Sequence, residues 1–133
     1  MKNAKTHILL VEDEFDVATV TKTRLELEGF KVSIVNDGLE ALDFVAKEQP
    51  DLMLLDLHMP KLDGCQVYKR LKSDETTKNI PMILFTGSEE YLLALEKKCL
   101  ELSVDGLISK PYDTKILLKK ILTLTKTNKT RRS

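Results

Sequence analysis

Apolar residues along this chain come in short blocks that stop abruptly at a polar residue. His7-Ile-Leu-Leu-Val11 runs into Glu12-Asp13, and Leu52-Met-Leu-Leu55 runs into Asp56. Met82-Ile-Leu-Phe85 runs into Thr86, and Leu107-Ile-Ser109 into Lys110. Each block has the length of a strand, and stretches of helix length separate them. Such a pattern predicts buried parallel strands in βαβ units.

Five strand–helix units follow. Strands are predicted near 6–11, at 31–35, 52–55 and 82–85, and after Asp105-Gly106. Helices are predicted near 15–28, 39–48, 65–72 and 89–102, and from Tyr112 or Asp113 to about 125. Gly29 stops the first helix at a normal C-terminal position. Its apolar residues Val17, Val20, Leu25 and Leu27 keep only approximate helical spacing. In the last helix Leu117, Leu118, Ile121 and Leu124 form one face. Residues 126–133 are polar and basic, and a disordered tail is expected there. Right-handed crossovers put helices on both faces of a parallel sheet. The expected fold is a (βα)5 doubly wound α/β domain whose strand carboxyl ends share one edge, where ligands bind.

At 133 residues the chain is one domain with a proper core. It contains no apolar run of the roughly 18 residues that would span a bilayer, and Met1-Lys-Asn-Ala-Lys5 leads directly into a strand without a signal-peptide core. A cytoplasmic location is expected, with Cys65 and Cys99 as free thiols. Net charge is zero but segregated. Residues 114–133 hold seven Lys/Arg and no acid, leaving fourteen basic against twenty-one acidic side chains, a net −7, in residues 1–113. A solvated final helix with a frayed end accounts for the basic segment more simply than nucleic-acid binding does.

The strand ends carry the chemistry. If the first and third strands are neighbours, Glu12, Asp13 and Asp56 lie close together. Two unit charges about 4 Å apart repel by about 4 kcal/mol at an effective dielectric near 20, enough to raise one carboxyl pKa by up to roughly three units. Either a proton stays or a cation fills the site. All-oxygen ligands without a His/Cys cluster favour Mg2+ over zinc. A carboxylate beside Mg2+ can attack phosphorus and form an aspartyl phosphate. That transfer calls for positive and hydrogen-bonding groups on the phosphoryl oxygens, which Lys110 and Thr86 offer. Taken singly, a strand-end Asp is usually a turn residue, a strand-end Thr is filler, and Lys110-Pro111 is a loop. Four such features at one sheet edge with compatible roles make coincidence a poor account.

Val11-Glu12-Asp13-Glu14, Asp56-Leu57-His58-Met59-Pro60-Lys61-Leu62-Asp63-Gly64, Phe85-Thr86-Gly87 and Ser109-Lys110-Pro111 resemble the four signatures of the two-component response regulator receiver domain. The resemblance covers about residues 5–125, in order and with receiver-like spacing. It implies the CheY-like, flavodoxin-like fold with strand order 2-1-3-4-5, a topology for which CheY is a standard example. It implies Asp56 as phosphoacceptor, with Mg2+ held by Asp13, Asp56 and the main-chain carbonyl of His58. Glu12, where many receivers have Asp, would act on the metal through water. Thr86 would be the switch hydroxyl and Lys110 the counter-charge, with a cis bond before Pro111. His58 and Ser88 stand at the variable positions two residues after Asp56 and Thr86, where they would tune the site. One departure is Leu107, at the position where receivers often carry a Tyr or Phe whose ring reports phosphorylation. The expected function is a phosphorylation-activated switch. It would receive phosphoryl from a histidine kinase or phosphotransfer protein and then change its binding of a downstream protein or a second copy, through a face near residues 89–122.

A haloacid-dehalogenase-type phosphatase also uses an Asp nucleophile with Mg2+, Thr and Lys. That family wants a second Asp two residues after the nucleophile, where His58 stands, so a signalling domain is expected rather than an enzyme. A phosphate-independent binding module would normally have lost Asp13, Asp56 or Lys110. No helix-turn-helix pattern fits the remaining residues, so direct nucleic-acid contact is not expected, nor is a membrane partner. Met1 and the polar end favour a stand-alone regulator over an excised receiver of a larger regulator or hybrid kinase. His7 is expected to be structural.

Overall fold

A computed structural model describes residues 5–57, 59, 62, 64–86, 106–109 and 113–132, the side chains of 85, 86, 107, 109 and 126–132 excepted. Five strands, β1 (His7–Val11), β2 (Lys31–Val35), β3 (Leu52–Asp56), β4 (Met82–Thr86) and β5 (Gly106–Ser109), form one parallel sheet in the order β2-β1-β3-β4-β5. The described helices are α1 (Phe15–Leu27), α2 (Gly38–Lys47), α3 (Gly64–Lys72) and α4 (Thr114–Arg132). The helix expected at 89–102 falls outside the described residues.

Alternation along the strands builds two cores. Leu9, Val11, Met53, Leu55, Met82 and Leu84 face α2 and α3, meeting Ala41, Val45, Val67 and Tyr68. Ile8, Leu10, Leu52, Leu54, Ile83 and Ile108 face α1 and α4, meeting Ala18, Leu25, Leu117 and Ile121. Burial on both faces is why the strands read as continuous apolar runs. Each fully buried aliphatic side chain stabilises the fold by about 1.5–3 kcal/mol.

Three features depart from expectation. Helix α1 buries Ala18, Thr21 and Leu25, leaving Val20 and Leu27 exposed. The face against the sheet is therefore set by a small and a β-branched polar residue, which a count of apolar positions misses. Helix α4 continues to Arg132, past 125, with no Gly or Pro to stop it. Cys65, buried at the start of α3, is disulfide-bonded and not a free thiol. The chain's other cysteine, Cys99, lies outside the described residues. Spacing along a chain does not report approach in space, so this pairing carried no sequence signal.

Backbone hydrogen bonds and caps close the turns. Asp37 caps α2, its Oδ1 accepting from the Glu40 N–H at 2.9 Å, while Glu40 Oε1 accepts from the Asn36 N–H at 2.9 Å. Gly29, at φ 97°, adopts the left-handed conformation that ends α1. At the edge where the strands begin, His7 is buried as expected of a structural residue. Its N–H donates to Asp51 Oδ2 at 2.7 Å, Nε2 lies 2.8 Å from Ser33 Oγ, and Nδ1 lies 3.3 Å from Glu48 Oε2. Burial, then the nearby Lys31 charge, holds the His7 pKa below its ordinary value, partly offset by Glu48 and Asp51.

Candidate functional site

The site is built by register. Val11 pairs with Leu55 and Asp56 with Phe85, so the residue after β1 and the last residue of β3 reach the same level. Glu12, Asp13 and Asp56 each offer a carboxylate oxygen within 4.8 Å of the others. Glu12 is 1% exposed and Asp56 4%, while Asp13 is open to solvent. Among the described residues this is the one group of three such ligands that could hold a metal ion.

Local hydrogen bonds aim the pieces. The Glu12 N–H donates to the Val35 carbonyl at 3.1 Å, extending the β1–β2 ladder by one residue past the strand. The Glu12 carboxylate then accepts the Glu14 N–H at 3.2 Å, just ahead of α1. That bond folds the chain back over the sheet edge at Asp13.

Two glycines allow close approach, Gly64 of α3 to the end of β3 and Gly38 of α2 to Leu62. A Cβ on Gly64 would lie 2.9 Å from the Asp56 carbonyl oxygen and 3.0 Å from Leu57 Cα. A Cβ on Gly38 would lie 2.5 Å from the Leu62 carbonyl oxygen. By composition Asn36-Asp37-Gly38 is a turn and Asp63-Gly64 part of a loop. The structure shows that their role is close approach, neither having the positive φ of Gly29. Their signal was available: each stands at the first position of a helix, directly after an Asp.

Thr86 is the last residue of β4, one beyond Phe85, and it pairs with Ser109 of β5. The backbone thus brings position 86 and the end of β5 to the edge that holds Asp56. The side chain of Thr86 and that of Leu107 lie outside the described residues, as do His58, Ser88, Lys110 and Pro111.

An acidic trio at the carboxyl edge of a five-stranded sheet ordered 2-1-3-4-5 agrees with the comparison to known proteins. The profile of the response regulator receiver domain matches residues 8–122. The chain belongs to this family.

The receiver has curated relatives that are regulators. It is 32% identical over 117 residues to the transcriptional regulatory protein CseB of Streptomyces coelicolor, covering 88% of this chain and 48% of the relative. It is 35% identical over 127 residues to the uncharacterized transcriptional regulatory protein YkoG of Bacillus subtilis, covering 96% of this chain and 54% of the relative. The chain thus spans about half the length of the curated relatives it matches. A solved signal receiver domain of a histidine kinase from Syntrophus aciditrophicus is 31% identical, with a TM-score of 0.84 and coverage of 92% of this chain and 91% of that one. The receiver domain of the sensor histidine kinase PA1611 from Pseudomonas aeruginosa is 27% identical, with a TM-score of 0.81 and coverage of 92% and 98%. That structure holds a magnesium ion coordinated in its active-site cleft.

This receiver is accordingly a signalling domain of the two-component response regulators, with the CheY-like parallel fold. Among its described residues no helix is long and apolar enough to cross a membrane.

Proposed function

We propose that Asp56 is the phosphoacceptor of a cytoplasmic phosphorelay switch. The observation that carries this reading is the buried Asp56 carboxylate at the end of β3, with Glu12 and Asp13 oxygens within 4.8 Å. An Asp56 oxygen attacks phosphorus, the bond to the donor nitrogen of a phosphohistidine breaks, and an acyl phosphate forms as the imidazole leaves. The donor is a histidine kinase or a phosphotransfer protein. Water later attacks the phosphorus, releasing inorganic phosphate and restoring the carboxylate. The domain performs no other chemistry.

Three oxygen donors without soft ligands suit a hard divalent cation. Mg2+ would be held by Asp13, Asp56 and the His58 main-chain carbonyl, with Glu12 reaching it through water. When bound, it supplies positive charge at the phosphoryl oxygens. The Thr86 hydroxyl and the Lys110 ammonium serve the same oxygens, and Pro111 shapes the Lys110 loop through a cis bond. His58 and Ser88, two residues after Asp56 and Thr86 in the sequence, set how readily water reaches the phosphoryl group.

Output runs through Thr86 and the face near residues 89–122, to a downstream protein or a second copy of the chain. Leucine at 107 has no ring to rotate, so the response consists of loop and helix shifts that move an existing equilibrium. The folded domain is assigned to residues 5–125.

Intact-mass analysis after phosphoramidate and Mg2+ treatment tests the reading. One phosphoryl group should be added, and Asp56→Asn should add none. Retained modification in that variant would overturn it.

A further inference from the structure

Helix α4 is 19 residues long. Leu117, Ile121 and Thr125 are buried in its first twelve residues, and its backbone runs on as helix to Arg132. Continuation as a helix, rather than as a disordered tail, fixes the relative positions of its charges. At 3.6 residues per turn, positions 115, 119, 126 and 129, all lysines, fall within one sector of about 80°. This sector lies opposite the buried face, and Lys115 and Lys119 are exposed. The row is about 21 Å long at 1.5 Å per residue. Leu122, 56% exposed, lies within the same sector, and positions 123 and 130, both threonine, lie along one side of it. No acidic residue occurs from 114 to 133.

The direction of the helix carries the far end of this row away from the acidic pocket. In a parallel sheet the crossover helices run back against the strands, so α4 starts at the edge holding Glu12, Asp13 and Asp56 and ends beyond the opposite edge.

We infer that the lysine row of α4 is a docking surface for the phosphate backbone of duplex DNA, bound without regard to base sequence. Single-sign charge along a straight helix matches a regular line of phosphates, which duplex DNA presents at one charge per about 1.7 Å of its axis. Threonine hydroxyls beside the row are phosphate donors of the usual kind. An anionic membrane fits less well, because an interfacial helix needs a free apolar face and that of α4 is buried in the domain. An acidic protein surface fits less well because protein interfaces deplete lysine at their cores. The absence of a helix-turn-helix pattern rules out base reading by that motif but leaves backbone binding open. The inference does not depend on phosphorylation at Asp56.

The test is fluorescence anisotropy of the full chain with a labelled 24-base-pair duplex of arbitrary sequence, at about 25 to 200 mM salt. Binding is expected with a slope of log K against log salt of about −2.7 to −3.6, from three to four neutralised phosphates. It should be the same for a second, unrelated sequence and unchanged in Asp56→Asn. The double variant Lys119→Glu/Lys126→Glu should bind at least about tenfold more weakly at 50 mM salt. Lys47→Glu/Lys69→Glu, the same charge change on other exposed helix positions, should lose far less. Thermal unfolding of each variant checks that the fold is intact, and amide-exchange protection at residues 115–132 upon DNA addition locates the contact. Equal loss in both double variants, no binding at 50 mM salt, or equal binding to poly-glutamate or phosphatidylglycerol vesicles would each overturn the inference.

Discussion

Gly64 sits so close to Asp56 that a single added methyl group would reach 2.9 Å from the Asp56 carbonyl oxygen. Backbone, not a flexible side chain, is what the methyl would meet, so accommodation requires either α3 or the end of β3 to move. Gly64→Ala should destabilise the fold by about 1–3 kcal/mol, the usual range for overpacking. It should also slow phosphorylation of Asp56, because the carboxylate is displaced with its backbone. Urea denaturation and the rate of phosphoramidate labelling measure the two effects. An alanine variant with both values unchanged would show that the contact is relieved without moving Asp56.

Three carboxylate oxygens within 4.8 Å repel one another unless a cation or a proton intervenes. Asp13→Asn removes one charge from the cluster. The variant should melt about 2–5 °C higher without divalent ions, corresponding to roughly 1 kcal/mol. Its Mg2+-induced shift should be smaller than that of the parent. Thermal scans with and without Mg2+ decide the matter, and an unchanged Mg2+ shift would place the metal elsewhere.

His7 provides a pH dependence at the other edge of the sheet. Its pKa is held below 6.5 in the folded chain, first by burial and then by Lys31, against the opposing pull of Glu48 and Asp51. The unfolded state therefore takes up a proton more readily. Stability from this residue is complete above pH 6.5 and falls as the pH drops from there toward the folded-state pKa. Urea midpoints at pH 7.5, 6.5 and 5.5 should decline for the parent and decline less for His7→Gln. Parallel declines would assign the effect to other groups.

The N-cap of α2 offers a local test. Asp37 Oδ1 accepts the Glu40 N–H, so Asp37→Ala should cost about 1 kcal/mol, while Asp37→Ser should restore much of it. Denaturant midpoints for the pair separate the cap from any general effect of charge loss.

Strand ends were the legible part of this molecule. An apolar block that stops at a carboxylate marks both a buried strand and the edge where chemistry gathers, and Asp56 proved to be the last residue of β3. Register then followed from the parallel order. The face of α1 was only partly legible, because Ala18 and Thr21 share it with Leu25 while the more apolar Val20 and Leu27 face water. The glycines at 38 and 64 looked like turn residues because close approach is a property of two segments, and a sequence displays one at a time. The end of α4 was misread for a different reason. Polar composition predicts solvation, and a helix with no Gly or Pro can be fully solvated and still be a helix.

Leu54 and Leu55 are covalent neighbours that belong to different cores, one packed with α1 and α4 and the other with α2 and α3. The sheet between them acts as a partition. Truncation of either to alanine should cost about 2–5 kcal/mol, and because the two side chains share no packing partners, the double variant should lose nearly the sum. Leu55 and Tyr68, thirteen positions apart but on the same side, should fall short of additivity. In this fold, whether two substitutions interact is decided by the parity of their positions along a strand rather than by their distance along the chain.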